Sequence, residues 1–152
     1  MEIEIRFLKS SDVEAVKAFI MRSDEHEMLY SMARTRQDFI ENINDDLDGC
    51  GQSEYWIIAV YGGKIVGICS VGGGEALEGL VDNAAIISDL YVDPMYRRSG
   101  VGKNLVRTAE DAARKNGYTS VYADVWNRAL VHVSEAYGYI YHPEGEYVTK
   151  EL

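Results

Sequence analysis

The sequence predicts a mixed α/β fold in a single domain. Three observations lead there. Two apolar runs flank Gly62-Gly63, as the strands of an antiparallel hairpin do. Amphipathic helical stretches precede that hairpin. The C-terminal half then alternates strand, helix, strand, helix, strand. The 152 residues suit one domain that buries its own core, and no internal repeat or linker divides them.

Ile3-Glu4-Ile5-Arg6-Phe7 alternates apolar and polar residues and reads as the first strand. Ser11-Asp12-Val13-Glu14 has the form of a capping box, and Val13, Val16, Phe19 and Ile20 follow at helical spacing. Thr35-Arg36-Gln37-Asp38 opens a second helix with Phe39, Ile40, Ile43 and Leu47 on one face. The polar stretch from Arg22 to Arg34 carries no periodicity that assigns it. Tyr55 to Val60 and Lys64 to Val71 are the hairpin strands, and Gly62-Gly63 supplies the positive φ of a tight turn. Gly72 to Asn83 reads as a loop or hairpin tip, and Ala84 to Val92 as a strand that Asp93-Pro94 ends. Val101 to Asn116 is helical, with Leu105, Val106, Ala109, Ala112 and Ala113 on one face and Gly117 as its stop. Tyr118 to Val125 is a strand, Ala129 to Tyr137 a short helix closed by Gly138, and Tyr147 to Leu152 a final strand.

Charge and composition exclude several function classes. The net charge is −10, with no basic stripe of the kind that follows a nucleic-acid backbone. Such a field favours cationic ligands. No apolar run approaches the ~18 residues that span a bilayer. The opening residues lack the basic and apolar stretches of a secretion signal, so a cytoplasmic protein is expected. Cys50 and Cys69 form no Cys-x-x-Cys, and His26, His132 and His142 are scattered, so no metal is expected and the thiols are read as reduced.

The informative stretch runs from Leu90 to Lys103: Leu90-Tyr91-Val92-Asp93-Pro94-Met95-Tyr96-Arg97-Arg98-Ser99-Gly100-Val101-Gly102-Lys103. It joins a strand to a helix start. Gly100 and Gly102 keep side chains out of the turn, so backbone N–H groups can approach a ligand closely. Helix N-termini attract anions, and Arg97, Arg98 and Lys103 add cationic donors. The sum is a phosphate or pyrophosphate cradle. A Walker A loop would need glycine where Arg97 stands, and a dinucleotide fingerprint would need glycine where Leu105 stands.

Arg97-x-x-Gly100-x-Gly102 resembles the arginine/glutamine-x-x-glycine-x-glycine/alanine signature of the GNAT superfamily of acyl-CoA-dependent N-acetyltransferases. Leu90 to Pro94 resembles the strand ending before that signature. The helix to Gly117, Asn127 and Gly138-Tyr139 resemble the family's later motif, and Gly62 to Gly67 its earlier hairpin. The resemblance implies a central, mostly antiparallel twisted sheet flanked by helices, with a V-shaped splay between the fourth and fifth strands. It implies acetyl-CoA as co-substrate and no metal. Backbone groups of Leu90, Tyr91 and Val92 would pair with the pantetheine amides like an added strand. The pyrophosphate would sit on N–H groups of Arg98, Ser99, Gly100, Val101, Gly102 and Lys103, and Asn127 would help to hold the cofactor arm.

The chemistry needs a base, because only about one alkylamine molecule in 2,500 is unprotonated at pH 7. It also gains from a donor near the departing sulfur. Asp89, an acid inside an apolar strand, is the base candidate, and alternation puts it on the face of Tyr91. The family usually carries its tyrosine acid seven residues after the motif asparagine. Here Ser134 stands at that position, while Tyr137 lies one turn further on. Ser134, Tyr137 and, third, His132 all remain open as the donor. Asp24, Glu25 and Glu27, then Asp45, Asp46 and Asp48, are acidic groups expected to border the acceptor. The expected reaction is acetyl transfer to a primary amine, on a small molecule or a peptide, through a ternary complex. A homodimer is an assembly this reading allows, and no nucleic-acid or membrane partner is expected. The other reading is a non-catalytic acyl-CoA-binding sensor of the same fold.

Overall fold

A computed structural model of the protein describes residues 2–24, 35–47, 49, 51–73, 83–124 and 134–152. Strand β1 is Glu4–Lys9, followed by helices α1, Val13–Arg22, and α2, Arg36–Leu47. Then come β2, Gln52–Tyr61, β3, Lys64–Gly73, and β4, Ala84–Val92. Helix α3, Val101–Lys115, leads to β5, Ser120–Asp124, β6, Ile140–His142, and β7, Tyr147–Glu151.

Among the described residues, seven strands form one sheet in the order β1-β2-β3-β4-β5-β7-β6. All pairings are antiparallel except β4 with β5. The sheet has two apolar faces. On one, Leu105, Ala109 and Ala113 of α3 pack against Ile57, Val66, Cys69, Ala85 and Ile87. On the other, Phe19 and Ile20 of α1 and Phe39 and Ile43 of α2 cover Trp56, Ile58, Ile68 and Tyr91. Phe19 and Phe39 are fully buried, each contributing about 1.5–3 kcal/mol by leaving water. The Phe39 and Trp56 rings lie 5.0 Å apart, which ties α2 to the sheet.

Local signals account for most boundaries. Gly62 and Gly63 have φ of 57° and 76°, the pair of positive values that a two-residue hairpin requires. Helix α3 stops at Gly117, φ 86°, where the Tyr118 N–H donates back to the Ala113 carbonyl at 3.0 Å. The Asp38 N–H donates to Thr35 Oγ1 at 3.1 Å, as the second cap predicts. The first predicted capping box does not form. Asp12 takes that role instead, accepting from the Lys9 N–H at 2.8 Å and from Arg6 at 2.6 and 2.9 Å. A carboxylate with a guanidinium in reach outcompetes a serine hydroxyl.

Other differences are matters of extent. Strand β2 begins at Gln52, three residues before the expected Tyr55, because Ser53 is buried and fixes that end. Strand β6 was not expected. Three residues give no periodicity, and only pairing with β7 defines them. Of the helix expected from Ala129 to Tyr137, residues 134–136 are described and helical. Among the described residues, no helix is long and apolar enough to cross a membrane.

Two irregularities position the site. The β3–β4 register slips between Ile68↔Tyr91 and Ser70↔Ser88, so Asp89 and Leu90 together oppose Cys69. This is a bulge, and Asp89 carries its strain at φ 57°. Strand β4 also leaves β5 early. Ala84, Ala85 and Ile86 pair with Ser120, Val121 and Tyr122, after which β5 has no further β4 partner among the described residues. That is the predicted splay.

Candidate active site

The bulge decides where Asp89 points. Ala85 and Ile87 belong to the α3 face, and simple alternation would send Asp89 there too. The extra residue resets the phase. Leu90 and Val92 return to the α3 face, while Ser88, Asp89 and Tyr91 lie toward α1 and α2. Asp89 and Tyr91 therefore share a face, as expected, but Ala85 and Ile87 do not join them.

Asp89 lines a cavity of about 260 Å³ with Asn42 and Asp46 of α2, Trp56 of β2, Ser70 of β3 and Ser88 of β4. The carboxylate is only 5% exposed. Burial on this scale requires donors. Ser70 Oγ donates to Asp89 Oδ2 at 2.9 Å, and Ser88 Oγ lies 3.3 Å from the same oxygen. The two serine hydroxyls are 2.9 Å apart, and Ser88 is exposed. A chain of hydroxyls thus leads from the buried carboxylate to water.

Beyond Val92, Asp93 pins the turn. Its N–H donates to the Val66 carbonyl at 2.8 Å, and its side chain accepts from the Met95 N–H at 3.0 Å. Arg22 lies 3.8 Å from the same carboxylate. The chain then passes through Arg98 at φ 65° and Gly100 at φ 87° into α3. The first α-helical bond of α3 is Asn104 N–H to the Gly100 carbonyl at 3.0 Å. The N–H groups of Val101, Gly102 and Lys103 therefore precede the helical ladder, and among the described residues no side chain caps them. A Cβ at Gly102 would meet nothing nearer than Val92 Cγ2 at 3.7 Å, so the glycine leaves open space beside these donors. This end of α3 can hold an anion such as pyrophosphate.

The predicted basic residues divide their work. Arg98 and Lys103 border the helix start, while Arg97 Nε donates to the Val92 carbonyl at 2.9 Å and its guanidinium lies 5.4 Å over the Tyr91 ring. Arg97 thus ties the turn back to the strand end. Ser99 Oγ likewise donates to the Tyr96 carbonyl. Burial pushes the Tyr91 phenol above its ordinary pKa, so it stays neutral as part of the α1 cluster.

The two acid candidates lie elsewhere. Tyr137 is half-buried against the α3 cluster, with Lys103 Nζ 5.4 Å from its ring. Ser134 accepts from the Tyr137 and Tyr139 N–H groups, both at 3.0 Å, through its carbonyl. Neither residue lines the Asp89 cavity. Asn127, His132, Glu25, Glu27 and Asp48 lie outside the described residues. Of the expected acidic border, Asp24 and Asp45 are exposed and Asp46 lines the cavity. Among the described residues, no group of three or more His, Cys, Asp or Glu side chains is arranged for a metal ion.

Comparison with known proteins decides the family. The model of the acetyltransferase (GNAT) family matches residues 19–139. The chain belongs to the GNAT acetyltransferase family. No curated protein matches it in sequence. Among solved structures, the GNAT domain of S. lividans PAT has a TM-score of 0.80 at 16% identity, covering 99% of this chain and 90% of that one. The Escherichia coli GNAT family N-acetyltransferase YhbS, in complex with CoA, gives 0.70 at 17%, covering 99% and 82%. PaiA N-acetyltransferase from Thermoplasma acidophilum, in complex with coenzyme A, gives 0.65 at 19%, covering 100% of both chains. At these identities the likeness is one of fold. In this GNAT chain the signature runs over the turn and α3 start described above.

Sequence reasoning did not assign Ser70, Ser88 or Trp56 to the site. A signal for the first two was present. Ser88-Asp89 places two polar residues side by side in an apolar strand, which breaks alternation as a bulge does, and Ser70 interrupts another apolar run.

Proposed function

We propose that the protein transfers the acetyl group of acetyl-CoA to a primary amine by direct attack in a ternary complex. The observation that carries this reading is the placement of Asp89. A buried carboxylate sits on a bulge where β4 parts from β5, facing a cavity, with an uncapped helix start following the same strand. The residues present fit the cofactor. The free edge of β4 near Leu90, Tyr91 and Val92 offers backbone groups to an extended amide chain, and the α3 start offers N–H groups to a pyrophosphate.

Acetyl-CoA supplies an activated thioester carbonyl. Asp89 accepts the proton of the incoming ammonium, and Ser70 and Ser88 pass it toward water. The amine nitrogen forms the new C–N bond, the C–S bond breaks, and the thiolate takes up a proton from Tyr137, Ser134 or solvent. A thiol has a pKa of about 8.5, so a weak donor is enough.

A second reading, acyl-CoA binding without catalysis, is favoured by Ser134 at the usual tyrosine position and by the absence of Tyr137 from the lining of the Asp89 cavity. One experiment separates them: CoA affinity by calorimetry, with thiol release from acetyl-CoA in the presence of primary amines. Amine-dependent release supports transfer. Binding without release supports the second reading, and the absence of binding refutes both.

A further inference from the structure

We propose that the acceptor cavity selects a short aliphatic diamine, with Asp89 receiving the reacting amine and Asp46 the distal ammonium. The inference rests on the acetyl-transfer reading for its chemistry, and on the cavity alone for its choice of ligand.

Among the described residues, the cavity is lined by two carboxylates and by no lysine, arginine or histidine. Asp46 is fixed in place rather than free on a helix surface. Ser53, 2% exposed, donates to Asp46 Oδ2 and accepts from the Tyr55 and Trp56 N–H groups at 3.0 and 2.9 Å. The other oxygen, Oδ1, has no hydrogen-bond donor, and Asp46 has no ion-pair partner, among the described residues. A half-buried carboxylate held this way is set for a ligand cation.

The two carboxylates stand at opposite ends. Trp56 pairs with Ser70 and Ser70 with Ser88, so three adjacent strands form the floor. Asp46 is anchored over β2 and Asp89 on β4, two strand spacings or about 10 Å apart. With about 2.8 Å for each charge-assisted hydrogen bond, roughly 4–5 Å remain between the two nitrogens, which suits a chain of about two or three methylenes. Trp56, Val71 and Ile86 give those methylenes an apolar floor. The volume, about 260 Å³, sets a matching limit, since at ~30 Å³ per water-sized unit it holds a molecule of about nine heavy atoms.

The step balances. The ammonium beside Asp89 loses one proton to the carboxylate, the neutral nitrogen forms the C–N bond, and the C–S bond breaks. The second nitrogen proton leaves as the amide forms, and the thiolate takes one up. The product is an N-acetyl monocation that no longer presents a charge to Asp89, which favours its release.

The test compares 1,3-diaminopropane, n-propylamine and 2-phenylethylamine as acceptors, with melting temperature as the control for folding. The expected result is at least a tenfold preference in kcat/KM for the diamine over n-propylamine, falling to about one in Asp46→Asn. Asparagine keeps an acceptor for Ser53. Equal rates for the two alkylamines, a preference that survives Asp46→Asn, or 2-phenylethylamine outpacing both would overturn the proposal. Calorimetry with 1,3-diaminopropane on the CoA-saturated protein gives a readout free of turnover. Binding weakened about tenfold by Asp46→Asn supports the site even if no amine is acetylated, an outcome that would sink acetyl transfer alone. Absence of diamine binding while n-propylamine is acetylated would sink the diamine assignment alone.

Discussion

Gly100 and Gly102 stand two residues apart in one turn, yet they are glycines for different reasons, and paired substitutions separate those reasons. Gly100 has φ 87°, and nothing lies within 4 Å of a Cβ built there. Its constraint is the backbone. Gly100→Ala places an L residue in the left-handed region at a cost of about 1–2 kcal/mol, which lowers the melting temperature of a chain this size by about 2–8 °C. Gly102 is a helical residue without positive φ, and its Cβ would meet only Val92 Cγ2, at 3.7 Å. Gly102→Val therefore leaves folding nearly unchanged, since removing glycine from a helix offsets the β-branched penalty within about 0.5 kcal/mol. The valine methyls instead occupy the space beside the Val101, Gly102 and Lys103 N–H groups. Each such hydrogen bond to a charged group contributes about 1.5–3 kcal/mol, so losing even one weakens CoA binding by about 12- to 150-fold. Scanning calorimetry and titration of CoA on both variants check the two effects separately. Wild-type CoA affinity in a folded Gly102→Val protein would refute the phosphate cradle. A stable Gly100→Ala protein would refute the argument from φ.

Three further outcomes are expected. Asp89→Asn should lower turnover at neutral pH by about 10²–10⁴-fold with little change in CoA affinity, measured by steady-state kinetics and calorimetry; a pH–rate profile like that of the wild type would remove Asp89 from the mechanism. If Tyr137 protonates the thiolate, Tyr137→Phe cuts turnover; if Ser134 or water suffices, Tyr137→Phe is nearly silent while Ser134→Tyr raises the steady-state rate, and a change of rate in neither variant assigns the proton to solvent. Arg6 hydrogen bonds hold the Asp12 carboxyl below its ordinary pKa, so its contribution is present above the usual carboxylate value of about 3.9 and fades as pH falls toward the lowered one. Asp12→Asn should then be less stable by about 1 kcal/mol at pH 7, with the gap narrowing as pH falls below the usual carboxylate value of about 3.9, read from urea denaturation.

Much of the cradle was legible because it is local. Glycines, arginines and a strand ending within fourteen residues fix the backbone that forms it, from Leu90 to Lys103. The direction of the Arg97 side chain was not legible, because its partners, the Val92 carbonyl and the Tyr91 ring, depend on how the turn folds back. Asp89 was visible as an acid out of place in an apolar strand. Its hydroxyl partners came from pairing across strands, since Ser70 reaches it only through the β3–β4 register.

By itself the sequence determined the order of the elements, the hairpin at Gly62-Gly63, the stop at Gly117 and the basic, glycine-containing turn, because each depends on φ preferences or on periodicity within a few residues. Only the tertiary structure decided the rest. The bulge that resets β4, the early parting of β4 from β5, the short strand β6 and the joining of Asp46 to Asp89 in one cavity all arise from residues distant in the chain. Their positions are set by sheet register and by the packing of α2 on Trp56, which no local pattern encodes.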